Sequence, residues 1–84
     1  MNSTRELVAY AVNVRCGQMK ISKGDLAARL GIEQSTLANR LAGRRRLDTE
    51  QMDSMAQALG FIDGFALIAY AKNLRDEAES KVPA

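Results

Sequence analysis

The sequence predicts an all-α domain of five helices, and three observations carry that prediction. No stretch alternates polar and apolar residues with period two, so no strand is signalled. Leucine, alanine and methionine recur instead at three- and four-residue spacings, in runs that mostly open on Ser or Asp and close near a glycine. At 84 residues, 46% hydrophobic but only 5% aromatic, the chain has the composition of one small helical core.

The elements follow in order. Ser3 and Glu6 form a capping box, in which the serine accepts from the N3 amide and the glutamate reaches back. The helix they open runs to about Cys16, with Leu7, Ala11 and Val14 on one stripe and Gly17 as its stop. Ser22 caps the second helix with Asp25 at N3; Leu26, Ala27 and Leu30 face inward and Gly31 ends it. The third starts near Gln34, turns Leu37 and Leu41 inward and stops at Gly43. Asp48 and Gln51 suit the cap and N3 of the fourth, whose core stripe is Met52, Met55, Ala56 and Leu59 before Gly60. Asp63 caps the fifth, from Gly64 to about Glu79. The whole is a single domain over residues 1–79, with a polar, frayed tail over 80–84.

Charge is polarised along this chain. The net charge is only +2, but residues 20–46 hold seven basic against two acidic side chains, and residues 47–84 hold three against seven. One end of the domain thus favours a polyanion and the other repels it. No apolar run is long enough to span a membrane, and the first residues lack the layout of a signal peptide. Cys16 is the only cysteine, so no intrachain disulfide forms and a reducing cytoplasm is the expected compartment. It reads as a small buried residue, and the Met52/Met55 pair as core filling.

Residues 25–43 then carry the most information. Ala27 is small enough for the third helix to cross close over the second, and Gly31 can take the left-handed conformation that sets their angle. Ile32 pins the turn, and Leu26, Leu30, Leu37 and Leu41 anchor both helices to one core. This is a helix-turn-helix. At about 100° per residue, Ser35, Thr36, Asn39 and Arg40 lie away from the leucine side, and Gln34 projects from the tip. Gln and Asn make bidentate bonds to adenine, and Ser or Thr can donate or accept at a base edge. Ser22 and Lys23 offer a helix N-terminus and a cation to phosphates, joined by Arg40, Arg44 and Arg46 on the backbone, while Arg45 is placed to turn inward to a guanine. Each feature alone reads as a solvated surface; their joint occurrence points to DNA.

The segment from Met19 to Phe61 resembles the lambda-repressor and Cro-like helix-turn-helix superfamily, the xre type. The resemblance rests on Asp25-Leu26-Ala27, Leu30-Gly31-Ile32, Gln34-Ser35-Thr36-Leu37, Leu41-Ala42-Gly43 and Ala58-Leu59-Gly60, about half the chain. It implies a five-helix domain that binds operator DNA as a dimer, with bases contacted from Gln34, Ser35 and Thr36, and from Asn39 one turn on. It also implies a phosphate contact at Lys23. One departure is Glu33, which stands where Ser, Thr or Asp often caps the reading helix; glutamate is a poor N-cap.

The expected function is sequence-specific regulation of transcription, of the phage or bacterial repressor type, by occupying double-stranded operator DNA at the nucleoid. The expected form is a homodimer, with the seam on the fifth helix at Leu67, Tyr70 and Leu74 and the Phe65–Ile68 side given to the core. The alternative, of a different class, is an antitoxin or adaptor that uses the same fold to grip a protein. Gel filtration combined with an operator-binding assay separates the two. An enzyme is disfavoured: the chain has no histidine, no cysteine pair and no Gly-rich phosphate loop. No metal, cofactor or membrane partner is expected, and no small-molecule effector, because no further domain is expected to hold one.

Overall fold

The structure is a computed structural model that describes residues 3–80. Five helices follow one another: α1 (Thr4–Met19), α2 (Lys23–Leu30), α3 (Gln34–Ala42), α4 (Thr49–Ala58) and α5 (Gly64–Ser80). α1 lies against α5 and α3, α4 against α5 and α2, and α2 crosses α3. Val8, Val12, Leu26, Leu37, Met55, Leu59 and Leu67 fill the space between them and are fully buried. None of the described helices is long and apolar enough to cross a membrane.

The caps form largely as their residues dictate. Ser22/Asp25 and Asp48/Gln51 make reciprocal capping boxes at α2 and α4. Asp63 accepts from the Ala66 amide at 2.9 Å to start α5. At α1 the Ser3 hydroxyl accepts from the Glu6 amide at 3.2 Å, but the Glu6 carboxylate takes a bond from that hydroxyl rather than from the Ser3 amide. Glu33 makes no side-chain cap bond at α3, in keeping with its poor capping chemistry.

α1 departs from expectation in two ways. It passes through Gly17 and ends one turn later, where Lys20 takes the left-handed conformation (φ 57°) and the Ile21 amide bonds the Cys16 carbonyl at 3.0 Å. Ile21, packed on the core, decides this stop, because the hydrophobic contact after the turn outweighs the glycine. The buried row is Val8, Ala11, Val12 and Cys16 rather than Leu7, Ala11 and Val14. Leu7 is half-buried and Val14 stands outside the core, since α1 is packed by α5 and α3 together and its inner face turns between them. Burial also pushes the Cys16 thiol up, with Lys23 and Arg29 acting weakly against it.

α5 is rotated relative to its expected setting. The Gly64 amide donates to Asp53 Oδ1 at 2.7 Å, and a Cβ on Gly64 would sit 2.9 Å from Met52 Cγ. Gly64 therefore faces α4, and Leu67 and Ala71 follow at i+3 and i+7 onto the same buried face. Leu67 belongs to the core of its own chain and to no partner seam, while Tyr70 and Leu74 are half-buried against that core. Phe65, given to the core by the sequence, is 82% exposed. Ile68 does pack inward in part. Ser80 is helical, and the rest of the expected frayed tail lies outside the described residues.

Candidate nucleic-acid interface

α2 and α3 meet at Gly31, whose φ of 69° closes α2 and allows the turn to α3. The Ile32 amide bonds the Ala27 carbonyl at 3.0 Å, and Ile32 packs on the core. Leu37 is buried and Leu41 half-buried, so the helix shows its opposite side outward. Gln34, Ser35, Ala38 and Ala42 are exposed there, with Asn39 partly so. The Gln34 and Ser35 side chains make no hydrogen bond among the described residues, leaving their donors and acceptors for another molecule.

Thr36 and Arg40 lie nearer the edge of this face, and both are half-buried. Arg40 lines a cavity between α3 and α4 with Asp48, Glu50 and Gln51. Ser22 is exposed, but its hydroxyl is used in capping, accepting from the Asp25 amide at 3.0 Å. Lys23 sits at the mouth of a groove between α1 and α3, with Asn13, Gln34, Ala38 and Ala42 along its walls.

The arginines divide into two sets. Arg5 donates to the Leu41 carbonyl (2.9 Å), Arg15 to the Leu59 carbonyl (2.9 Å) and Arg29 to the Ala58 carbonyl (3.2 Å). Each thereby satisfies a carbonyl at the C-terminus of α3 or α4 and offsets the negative end of its dipole. Arg15 also lies over the Phe61 ring, 5.3 Å from its centroid, and Phe61 meets Tyr70 at 5.1 Å. Arg75 pairs with Asp76. Against these, the Arg45 and Arg46 side chains are exposed with no hydrogen bond among the described residues, and the Arg44 guanidinium makes only a 3.4 Å contact to Asn39 Oδ1.

The loop holding the second set is itself unusual. α1, α2 and α4 each end with an amide bonded five residues back, from Ile21, Ile32 and Phe61, and each of these side chains packs on the core. At α3 the same bond runs from Arg44 to Asn39, at 2.9 Å, and the side chain in that position is an exposed arginine. The turn past α3 thus directs a cation outward where the other three direct an apolar group inward. Arg44, Arg45, Arg46, Ser35 and Gln34 are all exposed, and Arg44 reaches back to the partly exposed Asn39.

Ala38, Ala42 and Gly24 were missed in the sequence. A Cβ on Gly24 would come 3.2 Å from Gln34 Oε1, so the Gln34 carboxamide rests over the first turn of α2. The helical wheel that places Ser35 and Asn39 outward places the alanines there too, but they carry no donor or acceptor to mark them as contacts. Among the described residues no cluster of His, Cys, Asp and Glu could hold a metal ion.

Comparison with known proteins agrees with this geometry. A helix-turn-helix family model matches residues 13–64, which takes in the whole of α2, α3 and α4. No curated protein and no solved structure matches the chain significantly.

Proposed function

Because the chain belongs to the helix-turn-helix family of the lambda-repressor and Cro type and is a DNA-binding protein of that kind, we propose that it is a sequence-specific repressor acting by operator occupancy. The observation that carries this reading is the division of the arginines: those at Arg5, Arg15 and Arg29 hold the frame together, and those at Arg44 to Arg46 are left to a polyanion. Gln34, Ser35 and Asn39 are the base-reading set, with Thr36 at its edge and Arg45 reaching in from the loop. Lys23, Arg40, Arg44 and Arg46 serve the phosphates, together with the α2 N-terminus at Ser22.

A reading helix of nine residues contacts too few base pairs to single out one site in a genome. A twofold pair doubles the contacts and asks for a near-palindromic operator with half-sites about one turn apart. The seam we assign is Ile62 and Phe65, each 82% exposed. Phe65 borders an open, mostly apolar hollow of about 140 Å³ shared with Leu47, Met52 and Ile68. A knob beside a hole on one face suits an isologous contact, in which each copy fills the other. Leu47, Asp48 and Thr49 on the cavity wall follow directly on Arg44–Arg46, so a twofold axis here brings two basic loops to neighbouring stretches of one duplex.

The test is selection of bound fragments from a random duplex pool, followed by affinity measurements on the selected site. Gln34→Ala and Asn39→Ala each cost roughly 1–3 kcal/mol there and much less on scrambled DNA. Selection without any enriched sequence overturns the regulator reading. Phe65 also favours a second reading, an adaptor or antitoxin, if it seats a different protein; a chain that stays monomeric while binding no preferred DNA supports that one.

A further inference from the structure

We propose that Ala38 is a specificity-determining residue, whose methyl group packs on the C5-methyl of a thymine within two base pairs of the base read by Gln34. This inference rests on the DNA-binding reading of the same helix and assigns it a base preference that its polar residues alone do not give.

Gln34, Ala38 and Ala42 stand at i, i+4 and i+8, one row along α3, and all are exposed. An exposed alanine is ordinary on a solvated helix. What distinguishes Ala38 is its place, one turn after Gln34 in the same row, with Ser35 and Asn39 on the adjoining row. It lies on the α1 side of the face, on the wall of the groove that Lys23 and Gln34 also line and beside the Ser35–Asn39 row. Four residues of helix advance about 6 Å, against a base-pair rise of about 3.4 Å, so a helix lying along the groove carries Ala38 one or two pairs past Gln34.

Chemistry narrows the choice of base. A methyl group offers neither donor nor acceptor, so it leaves unsatisfied the amino group of cytosine or adenine and the O6 and N7 of guanine. Thymine alone presents a methyl in the major groove. Any polar side chain at position 38 would bring its own hydration there, and a bulky one would hold the helix out of the groove. Gln34 complements the arrangement, because its carboxamide is bidentate to adenine and the missing side chain of Gly24 lets it settle over α2. The preferred half-site therefore holds an A·T pair opposite Gln34 and a thymine opposite Ala38.

The methyl can be removed from the DNA and leave the protein unchanged. On the selected operator, each thymine in the half-site is replaced in turn by uracil, which keeps every hydrogen-bonding group and lacks only the C5-methyl. For the wild-type chain, one such replacement weakens binding about fourfold, the loss that follows from exposing one buried methyl-sized group. In Ala38→Gly the same replacement has no effect, and the variant binds thymine and uracil operators alike. A thermal melt shows whether Ala38→Gly is folded, and Ala38→Ser, a milder change in the helix, gives a second comparison with the same expectation of reduced discrimination. If no replacement affects the wild type, the proposal is overturned although the protein still binds its operator. If one does and Ala38→Gly and Ala38→Ser discriminate as strongly, the methyl is read by another residue, Thr36 being nearest in kind, and the proposal is again overturned. If the selection yields no operator at all, the DNA-reading function itself falls, a result distinct from both.

Discussion

Arg5 donates from Nη1 to the Leu41 carbonyl at 2.9 Å, so the first turn of α1 holds the last turn of the reading helix from behind. The Leu41 carbonyl is one of the four that α3 cannot satisfy internally, and the guanidinium offsets the negative end of the helix dipole. Gly43, which closes the helix at φ 82°, lies so near that a Cβ there would be 2.6 Å from Arg5 Nε. The two positions are therefore coupled.

Arg5→Ala is expected to lower stability by about 1–2 kcal/mol, the range for a hydrogen bond from a charged donor that is only part-buried. Gly43→Ala meets both the left-handed strain, about 1–2 kcal/mol, and displacement of Arg5. The double variant loses Arg5 only once, so its cost falls below the sum of the single ones. Denaturant titration of the four proteins measures this, and strict additivity would show that Arg5 does not occupy the space behind Gly43.

Most of the frame was legible because it is written in local chemistry. Ser22 with Asp25, and Asp48 with Gln51, announce helix starts that need no tertiary partner, and Gly31 and Gly43 announce ends. The failures came where packing between elements overrode the local signal. Gly17 offers a stop, but Ile21 reaches the core only if the helix continues to Lys20, and a lysine adopts φ 57° to allow it. Gly64 reads in the sequence only as the first residue of a helix, whereas its missing side chain faces Met52 and sets the rotation of α5. The leucine spacing turns the polar members of the reading face outward and Ala38 with them, but Ala38 has no donor or acceptor to mark it as a contact.

The α2 capping box gives the domain a defined acid response. Asp25 accepts from the Ser22 amide at 2.9 Å, and this bond, with the Ser22 hydroxyl, holds its carboxyl below the ordinary carboxylate range. A lowered folded value means that the box stabilises the domain above the unfolded carboxylate value, about 4, and that this contribution is lost as pH falls through the folded one. Asp25→Asn should therefore be less stable than wild type near neutrality, with the gap narrowing in acid. Unfolding midpoints across that range test it; curves that stay parallel would show that the ionised carboxylate contributes nothing.

Salt dependence separates the two sets of arginines. Replacing Arg44 and Arg46 by Ala should weaken binding to every sequence alike, and lower the slope of log affinity against log salt by about 0.9 for each phosphate contact removed. Arg29→Ala is the control, because its guanidinium is engaged with the Ala58 carbonyl and the change acts on stability rather than on the slope. A slope unchanged in the double variant, or reduced equally in Arg29→Ala, would remove the basic loop from the DNA backbone.

The two faces of α5 make opposite demands on a substitution. Leu67 is fully buried against its own chain, so Leu67→Ala should cost about 2–5 kcal/mol through lost burial and the cavity it leaves, whatever the oligomeric state. Phe65 and Ile62 are 82% exposed, so their replacement by Ser removes little from the folded monomer. If they form the seam, Phe65→Ser with Ile62→Ser should leave helix content intact, shift the mass in solution from two chains to one, and sharply weaken binding to a full operator. Binding to an isolated half-site should change far less, because each reading helix remains intact. Sedimentation of the wild type and the double variant, paired with affinities on full and half sites, decides the matter. A variant that stays dimeric and binds the full operator as before would place the seam elsewhere. One that unfolds would show that Phe65 stabilises the single chain in spite of its exposure. Wild type that sediments as one chain even on a palindromic operator would remove the dimer itself, leaving Phe65 and its neighbouring cavity to a different protein.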